Sequence, residues 1–350
     1  MISQPSTGSH LRLVILGATK VLLSVAILQT LSPSAFTQQA LPFPKSGTRS
    51  VVVNVFDIHG KAIRDLTKDN FRVLLNGKPT AVLDAGYSFA PRRMVLLVDM
   101  SGSMTGDKTT GKWRIAREAV HDLVAETPSD MPIAMLTFAG KVREAFDFSQ
   151  GRSAIAKWLS EGSGQEPNLG HPARTALFDS ILAGLQLLRP IQPGDALYVI
   201  TDGGEDASLA SAIRTKKAVL QSGVRMFTLL FAEPQKVSDE QEAEGSFLSM
   251  VQDSGGFAFG LSGHLRVGQA PWESDHTYQD DSRDKIKLYT QQLTIQVNGF
   301  WTLEVAAPLS SNGESKIKLE VVSNEGRVRK DVGVTYYRVL PSVRYLLSRE

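Results

Sequence analysis

Strand-like and helix-like segments alternate along the middle of the chain, and this alternation constrains the fold more than any other feature. Unbroken apolar runs such as MVLLVDM (94–100) and DALYVIT (195–201) have the length and composition of buried strands. Between them, KWRIAREAVHDLVAE (112–126) repeats apolar residues at the spacing of an amphipathic helix. Such alternation predicts an α/β fold, with a mainly parallel sheet and helices on both faces. Further helices are predicted over 175–188, 208–223, 241–256 and 280–297, and further strands over 131–139, 141–149, 224–232 and 257–260.

Two β-rich segments flank this region. Segment 49–91 holds strand-like runs and no helix of useful length, and segment 299–340 holds three more β-rich runs. In the first of them, Asn76-Gly77 is the strongest short signal for a hairpin. Each segment has too few strands to form a stable fold alone, but together they supply about six strands. We predict one small β-sandwich built from both, with the α/β domain (92–298) inserted between them; the alternative is two separate β-appendages packed on that domain.

Residues 1–37 have the pattern of an export signal. Arg12 and Lys20 are basic, VLLSVAIL (21–28) is a short apolar core, and small and polar residues follow. The alternative is a membrane anchor over 11–31, which would place Lys20 near the bilayer centre at a cost of about 2.5–3.5 kcal/mol. Both alternatives predict an exported protein, periplasmic, at the cell surface or secreted, with membrane contact only through a retained anchor. Residues 38–48 are predicted to be a linker and 341–350 a C-terminal tail.

Charge and cysteine content exclude several classes of function. The formal net charge of the 350-residue chain is only +2, so nothing indicates a nucleic-acid partner held through phosphate contacts. The chain contains no cysteine. Disulfides, thiolate catalysis, zinc–cysteine sites and a thioether-linked lipid are therefore all excluded.

Oxygen-bearing side chains follow two of the predicted strands. Asp99, Ser101 and Ser103 come directly after an apolar run, and Asp202 follows a second one in TDGGED. Thr175, at the start of a predicted helix, is a third contributor. Because ligands bind at the carboxyl ends of parallel strands, these side chains are expected to share one site. Carboxylates, hydroxyls and water suit a hard cation, so Mg²⁺ or Mn²⁺ is predicted, with Ca²⁺ as a further alternative.

The segment DMSGS resembles the Asp-x-Ser-x-Ser motif of von Willebrand factor type A (VWA) domains. Thr175 in RTALFDSI and Asp202 in VITDGGED match the other two metal positions of that family. The resemblance covers roughly 92–297, and the flanks resemble exported bacterial proteins described as VWFA-related. Two local features differ from the family pattern, since two glycines follow Asp202 and HPART lacks the glycine pair often found before the threonine.

This resemblance implies a Rossmann-like sheet with one antiparallel edge strand and a metal-ion-dependent adhesion site. Ser101, Ser103 and Thr175 would offer hydroxyl oxygens to the metal, while Asp99 and Asp202 would act directly or through waters. A carboxylate of a partner would complete the coordination shell, and metal occupancy would couple to the helix over 280–297. The alternative for the motif is that Asp99 and the serines only cap the following turn.

Four other features compete as functional signals. The stretch GDKTTGKW (106–113) matches most of a phosphate-binding loop, but Trp113 stands where Ser or Thr is needed, so we interpret it as a flexible rim loop. His121 is expected to be a partly buried helix histidine. His171 lies near Thr175 in sequence and is a candidate for the rim. Trp272 is either an exposed contact residue or a core-covering aromatic.

The leading functional hypothesis is a non-enzymatic, exported binding module that uses Mg²⁺ to hold an acidic group of a protein partner. One alternative is a metal-dependent hydrolase with Asp99 as nucleophile, although Ser101 replaces the second acid of such a motif. The other alternative is a structural envelope module whose metal site is vestigial.

Overall fold

The computed structural model describes residues 47–89, 92–105, 112–160, 174–231, 238–261, 282–307 and 314–340. The predicted signal or anchor, most of the linker, His171, Trp272 and the C-terminal tail lie outside these residues. Within them, none of the helices has the length and apolar character needed to cross a membrane.

The described chain alternates between β-rich ends and an α/β middle. Its strands are β1 (Thr48–Asp57), β2 (Phe71–Leu75), β3 (Lys78–Thr80), β4 (Val82–Ser88), β5 (Met94–Asp99), β6 (Ile133–Phe138), β7 (Val142–Phe146), β8 (Ala196–Thr201), β9 (Arg225–Leu230), β10 (Ala258–Gly260), β11 (Phe300–Ala306), β12 (Ser315–Val321), β13 (Val332–Tyr336) and β14 (Val339–Leu340). Its helices are α1 (Gly102–Thr105), α2 (Lys112–Glu126), α3 (Gly151–Ser160), α4 (Leu177–Leu187), α5 (Ala212–Ser222), α6 (Ser238–Asp253) and α7 (Ser282–Asn298).

The central sheet has six strands in the order β10-β9-β8-β5-β6-β7. Its neighbouring strands are parallel, except that the edge strand β7 runs antiparallel to β6. At its centre, Leu97 of β5 lies opposite Leu136 of β6 and Val199 of β8. The chain extends the sheet on one side of β5 before returning to add β8 on the other. The carboxyl end of β5 therefore lies at the topological switch point, where open α/β sheets bind ligands.

Helices cover both faces of this sheet, as the apolar periodicity predicted. One buried cluster joins the sheet to α2, α3 and α7, and a second joins its other face to α4, α5 and α6. Helix α3 was not predicted. Only two of its ten residues, Ile155 and Trp158, are buried. Two apolar positions are too few to show a helical period in the sequence.

The two flanking segments form one β-sandwich, which confirms the predicted fold class. Its sheets have the orders β13-β1-β11-β4 and β14-β12-β2-β3, so each sheet combines strands from both ends of the chain. Asn76 and Gly77 both have positive φ, 49° and 77°, and form the predicted tight turn between β2 and β3. The sandwich has eight strands rather than about six, because the short strands β3 and β14 were not predicted separately. The two sheets share a core that includes Val51, Val53, Phe71, Val73, Trp301, Leu303, Ile317 and Leu319.

The buried guanidinium of Arg225, at the start of β9, joins the α/β domain to the sandwich. Its Nη1 donates to Oδ1 of Asn54 on β1 (2.6 Å) and to the carbonyl oxygen of Gln296 (3.0 Å). Asn54 in turn donates through Nδ2 to the carbonyl oxygen of Gly299 (2.6 Å). Because Arg225 lies at the amino end of its strand, this network attaches the sandwich at the edge of the sheet opposite the carboxyl ends.

A buried ion pair holds the amino ends of β5 and β8. Arg93 precedes β5, and its Nη2 and Nε donate to the two carboxylate oxygens of Asp195 at 2.6 and 3.2 Å. The Asp195 side chain is fully buried. Burial raises the pKa of Asp195, and the hydrogen bonds from Arg93 oppose that rise.

Replacing Arg93 by methionine is therefore expected to lower the free energy of unfolding by about 3 kcal/mol, because it leaves a buried carboxylate without its ion-pair partner. Urea denaturation followed by circular dichroism measures this loss. The matched control is Arg143→Met on the exposed edge strand β7, expected to change stability by less than about 0.5 kcal/mol. Equal effects of the two substitutions would contradict this role of the pair.

Candidate metal centre

The carboxylate of Asp99 ends β5 and is completely buried. Its Oδ1 accepts a hydrogen bond from the backbone N–H of Ser101 (2.8 Å), which is the local turn bond that the capping alternative predicts. Its Oδ2 accepts from the hydroxyl of Thr201, 102 residues further along the chain, at 2.6 Å. The second bond ties the end of β5 to the end of β8, so the carboxylate does more than cap a turn.

Ser101 and Ser103 lie on the turn that follows Asp99. Their hydroxyl oxygens are 3.2 Å apart, and Ser101 is buried whereas Ser103 is exposed. The backbone here forms α1, a single helical turn, and the hydroxyl of Thr105 donates to the carbonyl oxygen of Ser101 at 2.8 Å. The helical turn brings the two hydroxyls together and leaves one of them open to solvent.

Asp202 follows β8 and is also buried, with 2 % of its surface exposed. Its Oδ1 accepts from the backbone N–H of Gly204 (3.2 Å). Gly203 turns the chain with a φ of 77°, which favours glycine. A Cβ atom added at Gly204 would lie 3.3 Å from Oδ1 of Asp202 and 3.7 Å from the hydroxyl oxygen of Thr175. Both oxygens therefore border the space beside Gly204, and the second glycine of TDGGED keeps that space open.

The loop after Asp202 holds Thr175 in place. The backbone N–H of Thr175 donates to Oδ1 of Asp206 (2.6 Å), and its carbonyl oxygen accepts from the N–H groups of Asp206 and Ala207, both at 3.0 Å. Glu205 accepts from the N–H of Phe178 in the first turn of α4 (2.9 Å). The family's usual glycine pair is absent from HPART, and these hydrogen bonds position the threonine instead.

The carboxylates of Asp99 and Asp202 lie close enough together to repel each other. Burial and, after it, the neighbouring negative charge of Asp202 raise the pKa of Asp99 to about 7, against the hydrogen bonds from Thr201 and Ser101. A divalent cation would relieve the repulsion between the two carboxylates. Within the described residues no group of three or more His, Asp or Glu side chains could hold a metal. Two carboxylates with the hydroxyls of Ser101, Ser103 and Thr175 form an oxygen donor set that fits Mg²⁺.

Two residues of this site are not identified by the sequence patterns. Thr201 ends β8 immediately before Asp202, and its position at a strand end is the signal that could have identified it. Lys112 begins α2 with only 5 % of its surface exposed, and its Nζ lies 3.3 Å from Oδ2 of Asp202. The Gly-Lys pair of GDKTTGKW, at the start of the helix predicted over 112–126, is the corresponding sequence signal.

Two expectations near the site need correction. Lys112 and Trp113 lie buried in α2, as the helix predicted over 112–126 requires, so the rim-loop interpretation of 106–113 is wrong for these two residues, while 106–111 lie outside the described residues. The ring centroids of Trp113 and Trp158 are 6.0 Å apart in an edge-to-face contact. His121 was expected to be partly buried, but 71 % of its side chain is exposed. It lies away from the buried face of α2, which contains Ala116, Val120 and Leu123.

Replacing Thr201 by valine is expected to cost about 2 kcal/mol of unfolding free energy in EDTA, because a buried carboxylate loses a hydrogen bond. Thr228→Val on β9 is the matched control: this threonine is equally buried and donates to the neutral carbonyl oxygen of Val199 at 2.9 Å. The control is expected to cost about 1 kcal/mol. Chemical denaturation measures both values, and a smaller loss for Thr201→Val than for the control would refute the assigned role.

Comparison with known proteins identifies a family for the part of the chain that contains the site. Residues 94–206 match the family model described as von Willebrand factor type A domain. A search of curated proteins found no match. All five candidate ligands, Asp99, Ser101, Ser103, Thr175 and Asp202, fall within the matched residues.

Several solved structures are similar at low sequence identity. BatB from Bacteroides thetaiotaomicron is 16 % identical, with 58 % of this chain and 98 % of that chain covered and a TM-score of 0.41. An aerotolerance-related membrane protein from Bacteroides fragilis is 18 % identical, with 57 % and 98 % covered and a TM-score of 0.39. A von Willebrand factor type A protein from Catenulispora acidiphila is 11 % identical, with 90 % and 78 % covered and a TM-score of 0.43. On the family match and the motif residues inside it, the chain contains a von Willebrand factor type A domain.

Proposed function

We propose that this protein is an exported, non-enzymatic binding module that uses a divalent cation, Mg²⁺ or else Mn²⁺ or Ca²⁺, to hold an acidic group of a protein partner. The observation that carries the proposal is that two groups of oxygen-bearing side chains lie at the carboxyl edge of the sheet, Asp99 with Ser101 and Ser103 after β5 and Asp202 with Thr175 beside Gly204, and that the carboxylates of Asp99 and Asp202 interact. The distance in sequence between Asp99 and Asp202 makes a purely local role for these residues a poor explanation.

The hydroxyls of Ser101, Ser103 and Thr175 would hold the cation, with Asp99 and Asp202 acting directly or through waters. A cation held largely by neutral oxygens keeps much of its attraction for a further anion. Ser103 is the exposed member of the set, so solvent reaches the site from its side. An aspartate or glutamate of a partner is an anion of suitable size and hardness for this position.

The surface beside the site supports a protein partner. Leu209 is 97 % exposed and Ile213 is 82 % exposed, on the segment that follows Asp206 and Ala207. Asp179 holds this segment, since its carboxylate accepts from the N–H groups of Leu209 (2.8 Å) and Ala210 (2.9 Å). The exposed pair of Leu209 and Ile213 beside the candidate site suits a partner that carries an apolar side chain near its carboxylate.

The proposed location is the periplasm, the cell surface or the secreted fraction. Its support is the basic segment followed by an apolar core at the N-terminus, which is typical of export signals.

A structural module that needs no metal is the second candidate, because the ammonium of Lys112 already brings positive charge to Asp202. Titration with Mg²⁺ while the total tryptophan fluorescence is followed separates the two, since Trp113 neighbours Lys112, and Trp113→Phe identifies the part of the signal that comes from this position. The binding module predicts a saturable change, whereas a vestigial site predicts none.

Capture of a partner from envelope or secreted fractions is expected to need both the metal and Asp99. Wild-type protein in Mg²⁺ should retain the partner, while EDTA or Asp99→Ala should abolish retention, because each removes the coordinated position. Asp130→Ala, at an exposed position, is the control that should bind normally. Equal capture by Asp99→Ala and wild type would contradict the proposed function.

Leu209→Ser is expected to weaken partner capture about tenfold, because burying a leucine side chain at an interface contributes about 1.5–3 kcal/mol, with no measurable change in melting temperature. Leu83→Ser is the matched control, since Leu83 is an exposed leucine (45 %) on sandwich strand β4. Quantitative pull-down and thermal denaturation give the two readouts. Equal loss of binding in both variants would remove Leu209 from the docking surface.

A further inference from the structure

Lys112 brings a buried positive charge to the candidate metal centre. Its Nζ lies 3.3 Å from Oδ2 of Asp202 and donates to the carbonyl oxygen of Ser103, also at 3.3 Å. Both contacts are to residues of the proposed ligand set. Lysine is almost never this deeply buried unless a counter-charge compensates for its lost hydration.

The position of Lys112 is fixed by the fold. It is the first residue of α2, and the next residue, Trp113, packs in the core against Trp158. Ile115, Ala116 and Ala119 then anchor the same helix to the sheet. The lysine is therefore held beside the carboxyl edge of the sheet by apolar packing that does not depend on its own charge.

The charges at the centre give this lysine a defined effect. Asp99 and Asp202 carry two negative charges when ionised, and the ammonium offsets one of them. A divalent cation bound between the carboxylates would then meet the positive charge of Lys112, whereas without the ammonium it would meet only the two negative charges. Two cations held close together in a buried site repel each other strongly, because the effective dielectric constant there is low.

We propose that Lys112 tunes the metal centre: its ammonium stabilises the carboxylate pair without a metal and weakens the binding of a divalent cation. This inference rests on the proposed function, because it assumes that the five oxygen ligands accept a cation. It goes beyond that function because it makes Lys112, which is not one of the five ligands, a determinant of the metal affinity.

Metal affinity of charge variants of the full chain tests this inference. Isothermal titration with Mn²⁺ alone is compared for wild type, Lys112→Met, Lys112→Gln and Lys112→Arg. The two neutral variants are expected to bind Mn²⁺ at least about tenfold more tightly, because the electrostatic repulsion is gone. Lys112→Arg keeps the charge and is expected to stay within about threefold of wild type, a far smaller change than loss of the charge.

Melting temperatures in EDTA and in Mg²⁺ give a second readout. The neutral variants are expected to melt below wild type in EDTA and to gain more from Mg²⁺ than wild type gains, since the cation replaces the missing charge. Neutral variants that fold only with Mg²⁺ also support the inference. Neutral variants that fail to fold even in Mg²⁺, while Lys112→Arg folds, would overturn it.

The outcomes separate this inference from the proposed function. If wild type binds Mn²⁺ and the neutral variants bind it equally or more weakly, the role of Lys112 is refuted and the metal centre stands. If neither wild type nor any variant binds Mn²⁺, the proposed metal function fails together with this inference. Binding by the neutral variants alone would support the effect of Lys112 and contradict a metal-dependent function of the natural chain.

Discussion

The buried carboxylate of Asp99 is the group on which the rest of the site depends. Burial and the charge of Asp202 raise its pKa to about 7, so the ionised form needs compensation. Hydrogen bonds from Ser101 and Thr201 supply part of it and join the ends of β5 and β8. The residual cost would favour a cation at this point, and the ammonium of Lys112 already lies beside Asp202.

Two contacts between elements that involve buried charged groups lie at the amino ends of the strands, and the candidate metal ligands lie at the carboxyl ends. Arg93 and Asp195 form a buried ion pair at the amino ends of β5 and β8. Arg225 attaches the sandwich at that same end through Asn54. The carboxyl ends are thereby free to carry polar loops, which the carboxylates of Asp206 and Asp179 hold in a defined conformation.

Most of the fold could be predicted from sequence, and so could the positions of the five candidate ligands at the ends of β5 and β8 and before α4, because both depend on local patterns. Apolar runs identified the buried strands, and Asn76-Gly77 identified a turn with positive φ. The site residues that the sequence does not identify depend on packing between distant segments. Lys112 is buried because Trp113 anchors its helix, and Thr201 matters because β8 lies beside β5. Helix α3 buries too few apolar residues to show a helical period. The exposure of His121 depends on how α2 is oriented on the sheet, which the sequence does not reveal.

The central claim is that five oxygen-bearing side chains from three segments hold one divalent cation. Electron paramagnetic resonance of free Mn²⁺ in a titration with protein tests it directly. The account predicts one bound Mn²⁺ per wild-type chain, loss of binding in both Asp99→Asn and Thr175→Ala, and normal binding in the exposed control Asp130→Asn. Binding that is unchanged by either of the first two substitutions would contradict it, since those residues lie on different segments and share only the proposed cation.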